Sequence, residues 1–156
     1  MTCHFEWGVI MKEHRITEAA TALQFMLAGN AYFTLRSSKT GTRYTYRVNR
    51  ASRDSEMFFV SVMYGSDNTG DYTYLGIVKD REYRQTAKSK IVPEDPRARA
   101  FLWAFLHLTT RDHVPDQLEF WHEGRCGRCG RLLTVPESIE NGIGPECAKK
   151  FEATIC

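Results

Sequence analysis

No stretch of this chain approaches the ~20 consecutive apolar residues that a membrane-spanning helix needs, and its opening, MTCHFEWGVIMKEHR, has no basic start, long apolar core or small-residue cleavage site. A soluble, cytoplasmic protein is therefore expected. Catalytic signatures are lacking as well. The five histidines (His4, His14, His107, His113 and His122) show no HExxH spacing, and no GxSxG nucleophile turn occurs. The turn Ser37-Ser38-Lys39-Thr40-Gly41 does not have the GxxxxGK[ST] spacing of a phosphate-binding loop. Internal repeats and low-complexity tracts are absent too.

What the chain does contain is ordinary for a globular domain: 156 residues, 42% apolar and 26% charged. That is enough to bury a real core. Its five cysteines, Cys3, Cys126, Cys129, Cys147 and Cys156, are an odd number without an export signal, which favours metal binding or free thiols over a disulfide framework. Net charge is only +2, but its distribution is uneven. Between residues 34 and 53 lie Arg36, Lys39, Arg43, Arg47, Arg50 and Arg53 with no acid, whereas residues 54–78 carry acids and no cation. One concentrated basic block in a near-neutral protein points to a local anion-binding surface.

The expected fold class is α+β. Thr17 can cap a helix over residues 18–28, with Gly29-Asn30 as its stop. Alternation then predicts strands over 31–36, 43–48, 57–64 and 72–78, joined by turn formers, as an antiparallel meander of about four strands. Asp95 caps a second helix whose first residue is Pro96 and whose body, 98–108, is apolar on nearly every side; such a helix belongs in a core, across the sheet. His107 within it reads as a core residue. From Leu118 onward the sequence becomes short-range, glycine-rich and cysteine-bearing. The expected division is an α+β body, 1–117, followed by a small zinc-binding module, 118–156.

In that tail, Cys126 and Cys129 are two residues apart, with Gly127 and Gly130 beside them. This spacing forms a tight knuckle with both sulfurs on one side, suited to tetrahedral Zn²⁺. Thr134 and Glu137 match a capping box, so a short helix should end at Gly142. Pro145 can then start a final helix with Cys147 in its first turn, where the helix N-terminus favours the thiolate. Knuckle, hairpin and helix-borne ligand are the logic of a treble-clef or ribbon-like module. A closed structural site needs a fourth donor. His122, four residues before Cys126 on the strand leading in, is the first choice; Cys156, Cys3 and His4 are rivals. Arg125, Arg128 and Arg131 bracket the site and offset its negative charge. The competing reading of the CxxC is a reactive dithiol, disfavoured by the missing βαβ context and by the third cysteine.

The run CGRCGRLLTVPESIENGIGPEC, residues 126–147, with His122-Glu123-Gly124 before it, resembles the signature of a family of small, largely uncharacterised phage and mobile-element proteins that carry a zinc knuckle of unknown function. The stretches FMLAGNAYFTLRSSKTGTRYTYRV and DYTYLG resemble the body that accompanies this knuckle in some members. The resemblance implies a zinc module and a mobile-element origin, hence action in a host cytoplasm. It implies no reaction.

Strand alternation places Arg43, Thr45 and Arg47 on one face and Tyr44, Tyr46 and Val48 on the other. Thr34 and Arg36 join the basic face, and Lys39 stands at the turn. Arginines there can grip phosphates, and tyrosines near an edge can stack on bases; the alternative is a core of tyrosines under solvated arginines. A closed zinc site leaves no position for a reacting water. The expectation is thus a non-enzymatic, zinc-stabilised accessory protein that binds nucleic acid through Arg36, Lys39, Arg43, Arg47, Arg125, Arg128 and Arg131. The alternative is a protein-binding inhibitor of a host enzyme or defence system, such as a nuclease.

Overall fold

The computed structural model describes residues 14–64 and 72–123, and these form an α+β fold with one large antiparallel sheet and two helices. The strands are β1 (Arg15–Ile16), β2 (Asn30–Ser37), β3 (Arg43–Arg50), β4 (Met57–Met63), β5 (Tyr72–Lys79), β6 (Glu82–Arg84) and β7 (Leu118–His122); the helices are α1 (Ala19–Met26) and α2 (Pro96–Thr110). The sheet order is β1-β7-β2-β3-β4-β5-β6. The meander β2 to β5 follows the alternation expected from the sequence. Three further strands enlarge the expected four to seven.

β6 follows β5 through Asp80 and Arg81, which sit at φ 53° and 61°. Two successive left-handed residues make the tight hairpin turn usually filled by Asn-Gly. β7 begins at Leu118, where the expected module boundary falls, and inserts between β1 and β2. Its register pairs Leu35 with Phe120 and Phe33 with His122.

One face of the sheet carries the core. Phe33, Tyr46 and Phe120 are fully buried, and the Phe33 ring stacks on Phe120 at 4.8 Å and on Tyr46 at 5.9 Å. Helix α1 closes over them with Phe25, whose ring meets Phe33 and Phe120 edge-on. Helix α2 adds Phe101 against Tyr46 and Tyr83. Burying each such ring contributes roughly 2–3 kcal/mol. The Tyr46 hydroxyl donates to the Arg97 carbonyl at 2.7 Å, so its polar end is satisfied, and burial pushes its ionisation far above the usual tyrosine range.

Both helices depart from expectation in informative ways. Thr17 does not cap α1. The N-cap is Glu18, with no side-chain cap, because the Ala19 amide donates instead to the Asp112 carbonyl at 3.1 Å and the Thr17 carbonyl accepts from Val114. A neighbouring segment replaces the cap. Asp95 caps α2 as expected, accepting from the Arg97 amide at 2.9 Å. That helix is not wholly in the core, however. Ala98, Phe101, Ala104, Phe105 and Leu108 are buried, while Leu102, Trp103 and Leu106 are 43%, 38% and 52% exposed. His107 is not a core residue either; its Nδ1 lies 2.8 Å from the Trp103 carbonyl and its ring lies against Trp103. Among the described residues no helix is long and apolar enough to cross a membrane.

A chain ending at residue 117 would leave β1 and β2 without the strand between them and strip Phe120 from the core. Loss of a buried phenylalanine alone costs about 3–5 kcal/mol, against total stabilities of about 5–15 kcal/mol. Such a truncation is expected to lose its cooperative thermal transition by circular dichroism. A sharp transition near that of the full chain would show that the body folds without β7.

Candidate functional site

The second face of the sheet is the one that neither helix of the described residues covers. Antiparallel register places Tyr32, Thr34 and Arg36 of β2 opposite Arg47, Thr45 and Arg43 of β3, and the hydroxyls of Thr34 and Thr45 lie 2.8 Å apart. Arg47 is followed across the sheet by Ser61 of β4, and Ser61 by Tyr74 of β5. On the other side of β2, Thr34 faces Trp121 and Arg36 faces Glu119. Trp121 in turn faces Arg15. The result is a surface of arginines interleaved with aromatic rings, all but Arg43 partly buried.

The expected basic block is not uniform across this face. Arg36 donates to Glu119 Oε2 at 2.6 Å, and Trp121 Nε1 donates to Glu119 Oε1 at 3.0 Å. Glu119 is 8% exposed, so its carboxylate is held by two donors and largely neutralises Arg36. Arg47 lies over the Tyr32 ring, with its guanidinium carbon 5.5 Å from the centroid, a cation–π contact. Arg43 and Lys39 are exposed at the hairpin end. Tyr32 also meets Tyr72 edge to face at 5.8 Å. Burial, and then the nearby Glu123, keep the Tyr72 hydroxyl protonated well beyond the usual range. Glu119, Tyr32, Tyr72 and Trp121 were not singled out from the sequence; the alternation of β2 and β5 held the signal for the tyrosines, but the pairing of β7 did not show locally.

His122 ends β7 on the opposite, core-side face, 3% exposed. Its ring stacks on that of His14 at 4.9 Å and 18° and lies 5.5 Å from Phe25. The structure therefore brings His14, absent from the expected ligand set, beside the expected histidine ligand. The other expected metal donors (Cys126, Cys129 and Cys147, with the rivals Cys3, His4 and Cys156) and the cations Arg125, Arg128 and Arg131 lie outside the described residues. Among the described residues no group of three or more His, Cys, Asp or Glu side chains is gathered as for a metal.

A cleft of about 250 Å³ lies between the β2–β3 hairpin and α2, lined by Leu35, Tyr44, Trp103 and Leu118 among others. Its lining is mostly apolar, and it adjoins the exposed flank of α2.

Comparison with known proteins gives one similarity. Residues 116–152 match the model of a family of unknown function (DUF6011). The match starts just before β7 and ties this stretch to an uncharacterised family. No curated protein and no solved structure matches the chain.

The Arg36–Glu119 pair can be tested directly. Glu119→Gln keeps an acceptor for Trp121 but removes the charge that faces Arg36. It is expected to lower stability by about 1 kcal/mol, a charged hydrogen bond discounted for the exposure of Arg36. In a urea-denaturation cycle with Arg36→Ala the two losses should not add. Additive losses would show that the pair is not coupled.

Proposed function

We propose that this protein is a non-enzymatic, zinc-stabilised accessory protein of phage type that binds nucleic acid. The observation that carries the reading is the helix-free face of the sheet. Phosphate binding needs cations that are not already neutralised, and Arg43, Arg47 and Lys39 meet that requirement better than Arg36. Base contact needs flat rings beside those cations, and Tyr32, Tyr72 and Trp121 supply them. Arg125, Arg128 and Arg131 follow β7 in the sequence and would extend the basic surface.

The zinc part of the proposal rests on donor chemistry. Three thiolates from Cys126, Cys129 and Cys147 and one imidazole from His122 form the N/S set that tetrahedral zinc takes in closed sites. His122 suits the role because it ends a strand, is fixed by packing against Phe25 and His14, and precedes Cys126 by four residues. Zinc, when bound, supplies a crosslink between the sheet and the cysteine segment. Such sites contribute on the order of 10 kcal/mol of apparent binding free energy.

A protein partner is the second reading, as for an inhibitor of a host enzyme. Leu102, Trp103 and Leu106 favour it, because a run of exposed large apolar side chains on one helix flank is a usual mark of protein contact.

Native mass spectrometry of the reduced chain is expected to show one zinc ion, lost in Cys129→Ser. Because His122 is part of the core, that variant should also lower the melting temperature of the body. Full metal content in Cys129→Ser would remove the proposed ligand set. For nucleic acid, a filter-binding titration should show affinity falling steeply as salt rises. Failure to bind at low salt, with a stoichiometric protein partner that survives nuclease treatment of a host lysate and is lost in Leu106→Glu, would favour the second reading.

A further inference from the structure

Asn30 Oδ1, Arg47 Nε and Tyr72 Oη are buried without a hydrogen-bond partner, and they account for three of the four such side-chain atoms among the described residues. All three residues belong to the helix-free face. Asn30 and Tyr32 are two residues apart on β2 and so share it, Arg47 is paired with Tyr32, and Tyr72 touches Tyr32. An unsatisfied buried polar atom costs about 1–3 kcal/mol. Arg47 and Tyr72, which both contact Tyr32, leave a donor and a hydroxyl unmet beside this ring pair that a ligand can complete, with the Asn30 acceptor two residues along β2.

We infer that this cluster receives an unpaired base, so that the protein binds single-stranded nucleic acid in preference to duplex. The inference rests on the nucleic-acid reading above and specifies its substrate class. Shape supports it. A major groove about 12 Å wide admits a helix or a two-stranded ribbon. The strands β2 to β5 that carry the cluster span roughly 14 Å at ~4.8 Å per step, before side chains are added. This surface is therefore too broad to enter a duplex groove, whereas an open strand can lie across it.

Ring stacking requires the same thing, because the faces of paired bases are already covered by their neighbours. Charge is complementary as well: Arg47 and Arg43 of this face and Lys39 at the hairpin end are in none of the ion pairs found among the described residues. Glu119, the buried acid on this side, is held by Arg36 and Trp121. Glu123 marks the edge, close enough to Tyr72 to oppose its ionisation. The phosphates are thus directed towards Arg47, Arg43 and Lys39 and away from the end of β7.

The test is fluorescence anisotropy at low salt with a labelled mixed-sequence DNA of about 20 nucleotides, long enough to span a binding groove, as a single strand and as its duplex, and with the ribonucleotide version of both. Either single strand should bind roughly tenfold or more tightly than its duplex, as stacking of one base provides. Tyr32→Leu should abolish that preference while Tyr32→Phe, which keeps the ring, retains it. Should Tyr32→Leu fail to fold by circular dichroism, Tyr72→Leu makes the same comparison. Arg43→Ala should weaken both forms and reduce the salt slope by about one. Equal affinity for single strand and duplex, or a preference unaffected by Tyr32→Leu, overturns this inference and leaves the nucleic-acid reading standing. No binding of any probe overturns both.

Discussion

β7 enters the sheet in a register that pairs Leu35 with Phe120 and Phe33 with His122, and that register decides what each face of the molecule carries. On the core side it completes the stack of Phe33, Phe120 and Tyr46 under Phe25. On the other side it delivers Glu119 to Arg36 and sets Trp121 beside Thr34. Without it β2 would be an edge strand with unpaired amides and carbonyls next to the most buried rings, an arrangement that folded proteins avoid. The strand comes from nearly the far end of the described chain, so the sheet closes only when distant segments meet.

The two faces solve different problems. The core side carries few polar atoms: the Tyr46 hydroxyl is satisfied by the Arg97 carbonyl, and the Tyr83 hydroxyl, whose ring packs on Phe101, is the one buried there without a hydrogen-bond partner among the described residues. The helix-free side keeps its arginines by pairing them with rings and one carboxylate: Arg15 over Trp121, Arg47 over Tyr32, Arg36 on Glu119. Long cationic side chains lying flat on aromatic rings shield apolar surface while their charge remains near water. Such a face is stable alone and still offers rings and cations to a ligand, whereas the flank of α2 offers only Leu102, Trp103 and Leu106.

Strands β2 to β5 were legible because a half-buried strand writes a period of two into its sequence, and AYFTLR and RYTYRV do so plainly. The same alternation assigned Arg43, Thr45 and Arg47 to one face. Asp80-Arg81 concealed β6, because neither residue announces a left-handed turn as glycine does. The two-residue β1 is too short to carry any period. The Thr17 cap failed because a carbonyl from residue 112 took over the helix end, and no local rule sees that far. In α2, hydrophobicity alone could not tell which apolar flank had something to pack against. The basic block looked continuous because the partner of Arg36 lies 83 positions away. The cysteine segment was legible as a spacing, and its placement falls outside the described residues.

The end of β7 joins the two halves of the proposed function. Successive side chains of a strand point to opposite faces. His122 is packed on the core side against Phe25 and His14, and Glu123 acts on Tyr72 of the other side. A slip of one residue would exchange them. It would press a carboxylate into the aromatic core, at a cost of several kcal/mol unless it became protonated, and would bring an imidazole beside the tyrosine cluster. The fixed position of His122 is therefore also what sets the acidic boundary of the cationic face. On the reading proposed here, a metal held by His122 would secure that register from outside the sheet, so that the site for the ion and the surface for the strand depend on the same pair of neighbouring residues.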